Sequence, residues 1–145
     1  MHFEGVFTTK ASIESVFEFL LNPNEISNCL PDLQSVDVKS EDRFDAVVKV
    51  GVGPIKGNFT FHLSVVEKEA PKHARLKAQG SGSGSSIDLD TTMDLNSVNG
   101  GTTMKWRADT RFGGLIASIG QRLVTMTVEK TVNDFFNCIK QKLEA

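Results

Sequence analysis

In IDLDTTMDLNSVNGGTTMKWRAD, residues 87–109, apolar and polar side chains alternate on either side of a glycine turn. Ile87, Leu89, Thr91, Met93 and Leu95 share one face, and Asp88, Asp90, Thr92 and Asp94 the other. After Asn99-Gly100-Gly101, Met104, Trp106 and Ala108 oppose Lys105, Arg107 and Asp109. A period of two belongs to strands with one dry and one wet face. The acids of one strand can face the bases of the next, a solvated ladder worth about a few tenths of a kcal/mol per pair. Their outward direction argues against catalysis by the three aspartates.

On either side the pattern repeats. From Leu33 to about Thr110 there are six strand-like runs, separated by turn signals at Glu41-Asp42, Gly51 to Pro54, Ala70-Pro71, Gly80 to Gly84 and Asn99 to Gly101. No helix interrupts them, so the sheet is an antiparallel meander. His2 to Thr9 reads as an opening strand. Ser12 then caps a helix whose Ile13, Val16, Phe17 and Leu20 fall at helical spacing. Asn22-Pro23-Asn24-Glu25 starts a second short helix that stops near Leu30-Pro31. Residues 115–143 contain no proline and read as one long helix. Its second half carries a regular stripe of Val124, Val128, Val132, Phe135, Ile139 and Leu143 that would dock on the sheet. Its first half gathers Leu115, Ile116, Ile119, Leu123 and Met126 on another side. That extra face is left to meet a loop or the second helix, or to border a cavity, a partner or a membrane surface.

GVGPIKGNFTF, residues 51–61, resembles a phosphate loop only at first sight. Lys56 precedes the last glycine, no Ser or Thr follows it, and the next residues alternate as a strand instead of opening a helix. The dinucleotide spacing of glycines is also absent. The stretch is expected to be a hairpin corner.

A chain of 145 residues is expected to be one domain, 1–145, able to fold without metals or cross-links. The net charge of -2 offers no basic field for nucleic acid. No apolar run approaches the roughly 20 residues that span a bilayer, and the N-terminus lacks the layout of a signal peptide, so a cytoplasmic chain is expected. Cys29 and Cys138 are solitary, and free buried thiols are expected. His2, His62 and His73 lie on separate strands with no consistent acid partner in sequence, with His62 and His73 turned to the outer face. No HExxH, no G-x-S-x-G and no tyrosine occurs. The chain therefore reads as a binder sooner than an enzyme, with no cofactor or metal.

Several segments together resemble the family of the carbon monoxide dehydrogenase G-subunit (CoxG), within the START-like helix-grip superfamily. They are Asn22-Pro23 through Asn28-Cys29-Leu30-Pro31, Gly53-Pro54-Ile55-Lys56-Gly57 with Phe59, and the glycines of residues 80–84. Gly101-Thr102 with Trp106 and Ala108-Asp109, and the run Gly113 to Arg122, complete the set. The resemblance covers nearly the whole chain. It implies an α+β helix-grip fold, with a seven-stranded antiparallel sheet wrapped around a long C-terminal helix and two short helices after the first strand. It also implies an apolar cavity, handling of a quinone, lipid or similar ligand, and recruitment of a molybdenum hydroxylase to the membrane, where the chain would sit peripherally on the inner face. Two departures stand out. Asp32 follows Cys29-Leu30-Pro31 where the family often has glycine, so a different turn backbone is expected, and a chain ending at Ala145 is expected to lack the family's frequent anchoring tail.

Inward alternation and the helix faces give the expected ligand wall. It comprises Phe59, Phe61, Leu63, Met93, Leu95, Met104 and Trp106 from strands, with Leu115, Ile119 and Leu123 at the cavity mouth. Arg122, one turn into a helix of small residues, is the candidate charge to fix a carbonyl or carboxylate, with an exposed helix arginine as the commoner alternative. Two other readings remain open: a cyclase- or hydrolase-type enzyme acting on an aromatic or polyketide-like substrate, and an interaction module that dimerises through the first-half helix face.

Overall fold

The computed structural model describes residues 1–145. Its strands are β1 (His2–Thr9), β2 (Leu33–Ser40), β3 (Arg43–Val52), β4 (Ile55–Glu69), β5 (His73–Gly82), β6 (Ser85–Val98) and β7 (Gly101–Gly114). They form one antiparallel sheet in the order β1-β7-β6-β5-β4-β3-β2. The last six follow one another as hairpins, and β1 adds to the free side of β7. Each turn falls where the sequence signalled it, at Glu41-Asp42 between β2 and β3 and at glycine, proline or asparagine in the others. Ser83-Gly84 and Asn99-Gly100 have positive φ at both residues, the backbone that matches the twist of paired strands. Gly53-Pro54 is the corner between β3 and β4 and precedes a strand, not a helix.

Helix α1 (Ile13–Leu20) is capped by Ser12, whose Oγ accepts from the Ser15 backbone N–H at 3.3 Å. Its Ile13, Val16, Phe17, Phe19 and Leu20 are buried. Helix α2 (Pro23–Ile26) begins with Asn22 as cap and Pro23 at its first position, and passes into a 3-10 turn at Ser27–Cys29. Asp32 takes φ 45°, the left-handed angle that glycine adopts freely. The turn is therefore glycine-like despite the different residue, because a short polar side chain tolerates that region.

The C-terminal segment differs from the single helix expected over 115–143. Leu115–Ser118 is a 3-10 turn, and helix α3 runs from Gln121 to Leu143. Gly114 (φ 71°) and Gly120 (φ 110°) hold angles outside the right-handed helix, so the small-residue run breaks where continuous helix was read.

Two apolar clusters form the core. The larger joins Val16, Phe17 and Leu20 of α1 with Phe7, Phe44, Leu95, Met104 and Ile139; the smaller joins Val52, Ile116 and Val124. Aromatic rings lie flat across two glycines on neighbouring strands, Trp106 over Gly5 and Phe61 over Gly80, where a Cβ would collide with the ring. The expectation of free thiols does not hold. Cys29 and Cys138 form a disulfide, with Cα atoms 5.6 Å apart and no free cysteine left. The 109-residue separation concealed the pair, because only the folded chain brings the turn after α2 against the end of α3.

Candidate functional site

Of the 23 residues of α3 only Val124 and Ile139 are buried, one in each core cluster. They stand fifteen positions apart, roughly 22 Å at the rise of a helix. At its N-terminal end, Leu123 and Ile119 abut Gly53 at the β3–β4 corner, and the Ile116 N–H donates to the buried Ser85 Oγ at 2.9 Å. At the C-terminal end, the disulfide ties Cys138 to Cys29, and the Thr9 hydroxyl donates to Glu144 Oε2 at 2.6 Å. That hydroxyl, joined by the Lys10 N–H, holds the Glu144 carboxyl below its usual value.

Between these anchorages, α3 and the inner face of the sheet leave a cavity of ≈ 260 Å³. Of its 21 lining residues 15 are hydrophobic, so it is an apolar space. Val132, Phe135 and Phe136 of α3 form one wall, and Phe44, Leu63, Leu76, Met93 and Trp106 of the sheet another. Ile26, Leu30 and Pro31, beside the disulfide, close the side. Phe136 packs on Trp106 and Phe7 with centroids 5.5 and 5.1 Å away, which fixes the aromatic wall.

The polar groups in this lining are few. The Thr91 hydroxyl donates to the Arg107 carbonyl at 2.7 Å and that of Thr131 to the Thr127 carbonyl at 2.9 Å. Glu41 and Asp42, in the β2–β3 turn, stand at one end of the cavity. Beyond them lies an open groove of ≈ 740 Å³, which shares Leu21, Pro23 and Glu41 with the cavity and carries Glu14, Glu18 and Lys68. Lys68 Nζ lies 2.8 Å from Asp42 Oδ1, and the Asp42 carboxylate raises Lys68 above the usual lysine value. Asp42 Oδ1 is nevertheless buried without an aligned hydrogen bond, so the two make a charge contact more than a directed bond.

The histidines sit on the other face of the sheet and have acid partners that sequence order did not reveal. His62 Nδ1 is 2.7 Å from Asp45 Oδ1, and His73 reaches Asp94 at 2.7 Å and Glu67 at 3.0 Å. His2 meets Asp109 at 2.8 Å and Glu4 at 2.9 Å. The partners of His73 raise its pKa, Asp94 first. Arg75 grips Asp90 through two bonds, at 2.7 and 2.9 Å, and lowers the Asp90 pKa. The ladder thus runs between β5 and β6, with Arg75 as its base, in place of the β6–β7 pairing expected from the hairpin. No group of three or more His, Cys, Asp or Glu side chains is placed to hold a metal ion.

Leu63, Met93 and Trp106, expected at the ligand wall, line the cavity. Phe59, Leu95 and Met104 are buried in side-chain packing outside it, and Phe61 lies over Gly80. Leu115, Ile119, Leu123 and Arg122 are also outside it. The two leucines are 54% and 37% exposed, and Arg122 is exposed on the first turn of α3. The cavity therefore lies under the half of the helix that was read as docking on the sheet. Phe44, Leu76 and Phe136 were not singled out from sequence. Phe44 and Leu76 follow the same alternation as their neighbours, and Phe136, four positions after Val132 and three before Ile139, fits the stripe as well as Phe135 does.

The chain matches the family model of the carbon monoxide dehydrogenase G-subunit (CoxG) over residues 5–144. A conserved protein from Geobacillus kaustophilus has a similar structure, with TM-score 0.92 and 25% identity over 99% of this chain and 95% of that one. A START superfamily protein from Mycobacterium smegmatis aligns with TM-score 0.77 and 9% identity, over 99% of this chain and 97% of its own. A Thermus thermophilus protein aligns with TM-score 0.73 and 11% identity over 99% and 97%. No curated protein matches the sequence. The likeness at 9% and 11% identity establishes a START-like fold, and the match over nearly the whole length places this chain in the CoxG family.

Proposed function

We propose that the chain is an accessory protein that holds an apolar or amphipathic small molecule, a quinone or a lipid, between its sheet and α3 on behalf of a molybdenum hydroxylase at the membrane. The observation that carries this reading is the ≈ 260 Å³ space with an almost wholly apolar lining, in a chain of the CoxG family. A packed domain leaves few voids of that size, and an apolar space with a few polar groups at one end suits ligand binding. Leu63, Met93 and Trp106 would touch the ligand. Phe59, Phe61, Leu95 and Met104 would support the sheet around them. Leu115, Leu123 and Met126, exposed beside Arg122, would be offered to the membrane or the hydroxylase. No helix is long and apolar enough to cross a bilayer, so membrane contact would be peripheral, at the inner face of a cytoplasmic membrane.

Trp106 is the only tryptophan, and the chain has no tyrosine, so its emission reports directly on the cavity. Titration with a short-chain quinone and with a neutral lipid should quench or shift that emission saturably. Native mass spectrometry of protein purified without denaturation should show a bound molecule. A chain that emerges empty and whose emission neither ligand changes would exclude the carrier reading. A hydroxylase retained by the wild-type protein but not by Leu123→Asp would support the partner role; equal retention by both would remove that patch from it.

A further inference from the structure

The two side-chain hydroxyls in the cavity lining already have acceptors. The hydroxyls of Thr91 and Thr131 donate to main-chain carbonyls, so each presents only lone pairs to an occupant. The indole N–H edge of Trp106 lies over Gly5 on β1, at the opposite edge of the sheet from the β2–β3 turn. At the mouth, the half-exposed Asp42 carboxylate is held through Oδ1 by Lys68 Nζ at 2.8 Å and keeps further lone pairs with which to accept from an occupant. Glu14, Glu18, Glu41, Asp42 and Lys68 are the ionisable residues lining the cavity and its outer groove, four acids against one base already in contact with Asp42. A lining whose hydroxyls only accept and whose mouth carries excess negative charge is the wrong partner for a carboxylate or phosphate and the right one for a hydrogen-bond donor.

We infer that the site selects amphiphiles whose polar end donates hydrogen bonds and is neutral or cationic, an alcohol, phenol or amine, and rejects those ending in an anion. The apolar body would lie between Phe135, Phe136 and the sheet, with the head group at Glu41 and Asp42. This inference rests on the carrier reading and adds a head-group rule that narrows it: a quinol or an alcohol-headed lipid meets the rule, whereas the carbonyls of a quinone only accept hydrogen bonds. Like charges brought together on binding repel, whereas a neutral head that donates to Asp42 meets no such penalty.

A matched series of decylamine, decanol and decanoate at neutral pH, read by Trp106 emission, tests it. Decylamine and decanol should bind, with decanoate weaker than decanol by about tenfold or more. In Glu41→Gln, and separately in Asp42→Asn, the gap between decanol and decanoate should narrow to less than about threefold. The two variants guard against misfolding of either one, because Glu41 is exposed and its change leaves the Lys68 contact in place. Decanoate binding as tightly as decanol to the wild-type chain would overturn the head-group rule and leave the carrier reading standing. Failure of all three to bind would overturn both.

Discussion

The two halves of α3 meet the sheet in opposite ways. The N-terminal half is pressed onto a hairpin corner, with Leu123, and Ile119 just before the helix, on Gly53 and Val124 buried beside Val52 and Ile116. The C-terminal half covers a void, and only at Ile139 and the disulfide does it close down again. Yet the C-terminal half has the more regular apolar stripe in sequence. A regular stripe therefore shows which side of a helix is covered, and says nothing of whether the covering surface fills the space beneath.

The largest effect should come from releasing the far end. Cys138→Ser, or thiol reductant, opens a loop of more than one hundred residues and should lower stability by about 2–4 kcal/mol in urea unfolding. An unchanged midpoint would mean that the C-terminal half holds without its cross-link. Next comes a direct contrast between the halves. Val124→Phe overfills a packed site and should cost about 1–3 kcal/mol, whereas Val132→Phe grows into the cavity, should cost under about 1 kcal/mol, and should abolish ligand-induced changes in Trp106 emission. Equal costs in the two variants would erase the distinction.

A smaller loss is expected at the corner that supports the N-terminal half. Gly53 has φ 57° and stands where a Cβ would come within 2.8 Å of Leu123, so Gly53→Ala should cost about 1–2 kcal/mol. Lys56→Ala, in the same loop, should change stability by no more than about 0.5 kcal/mol, and ATP should have no measurable effect on either variant. The smallest effect is a pH dependence at the other end. The Glu144 carboxyl is held below its ordinary 4.5 by Thr9. Its contribution is therefore present above the unfolded value and is lost as pH falls through the lowered one. Thr9→Val should flatten that part of the acid limb of thermal stability; an identical limb in the variant would show that this contact does not help hold the helix end.

Alternation and turn residues made the sheet legible. Met104 and Trp106 point inward and Lys105 and Arg107 outward in both readings, because burial on one face acts on each residue locally. The capped helices were legible for the same reason, since Ser12 and Asn22 act on backbone groups two or three residues away. The features that were not legible depend on distant partners. Cys29 finds Cys138 only after the sheet has placed α3, and His62 finds Asp45 only through the β3–β4 register. The break at Gly120 lay in plain view, but a helix without proline concealed it, because glycine weakens a helix without forbidding it. The void could not be read at all. It is the difference between the volume enclosed and the volume filled, and no local pattern encodes that difference.

Helix α3 can finally be considered as a beam resting on two supports at Val124 and Ile139. Helices in folded proteins curve with radii of roughly 60–100 Å, and over a span of about 22 Å such curvature displaces the midpoint by only ~0.6–1 Å. That sag is far less than the thickness of an alkyl chain, so the beam cannot lift enough to pass a guest beneath it or to house two side by side. With the supports in place, a guest of the proposed kind would enter lengthwise, through the acidic end between α1 and the β2–β3 turn.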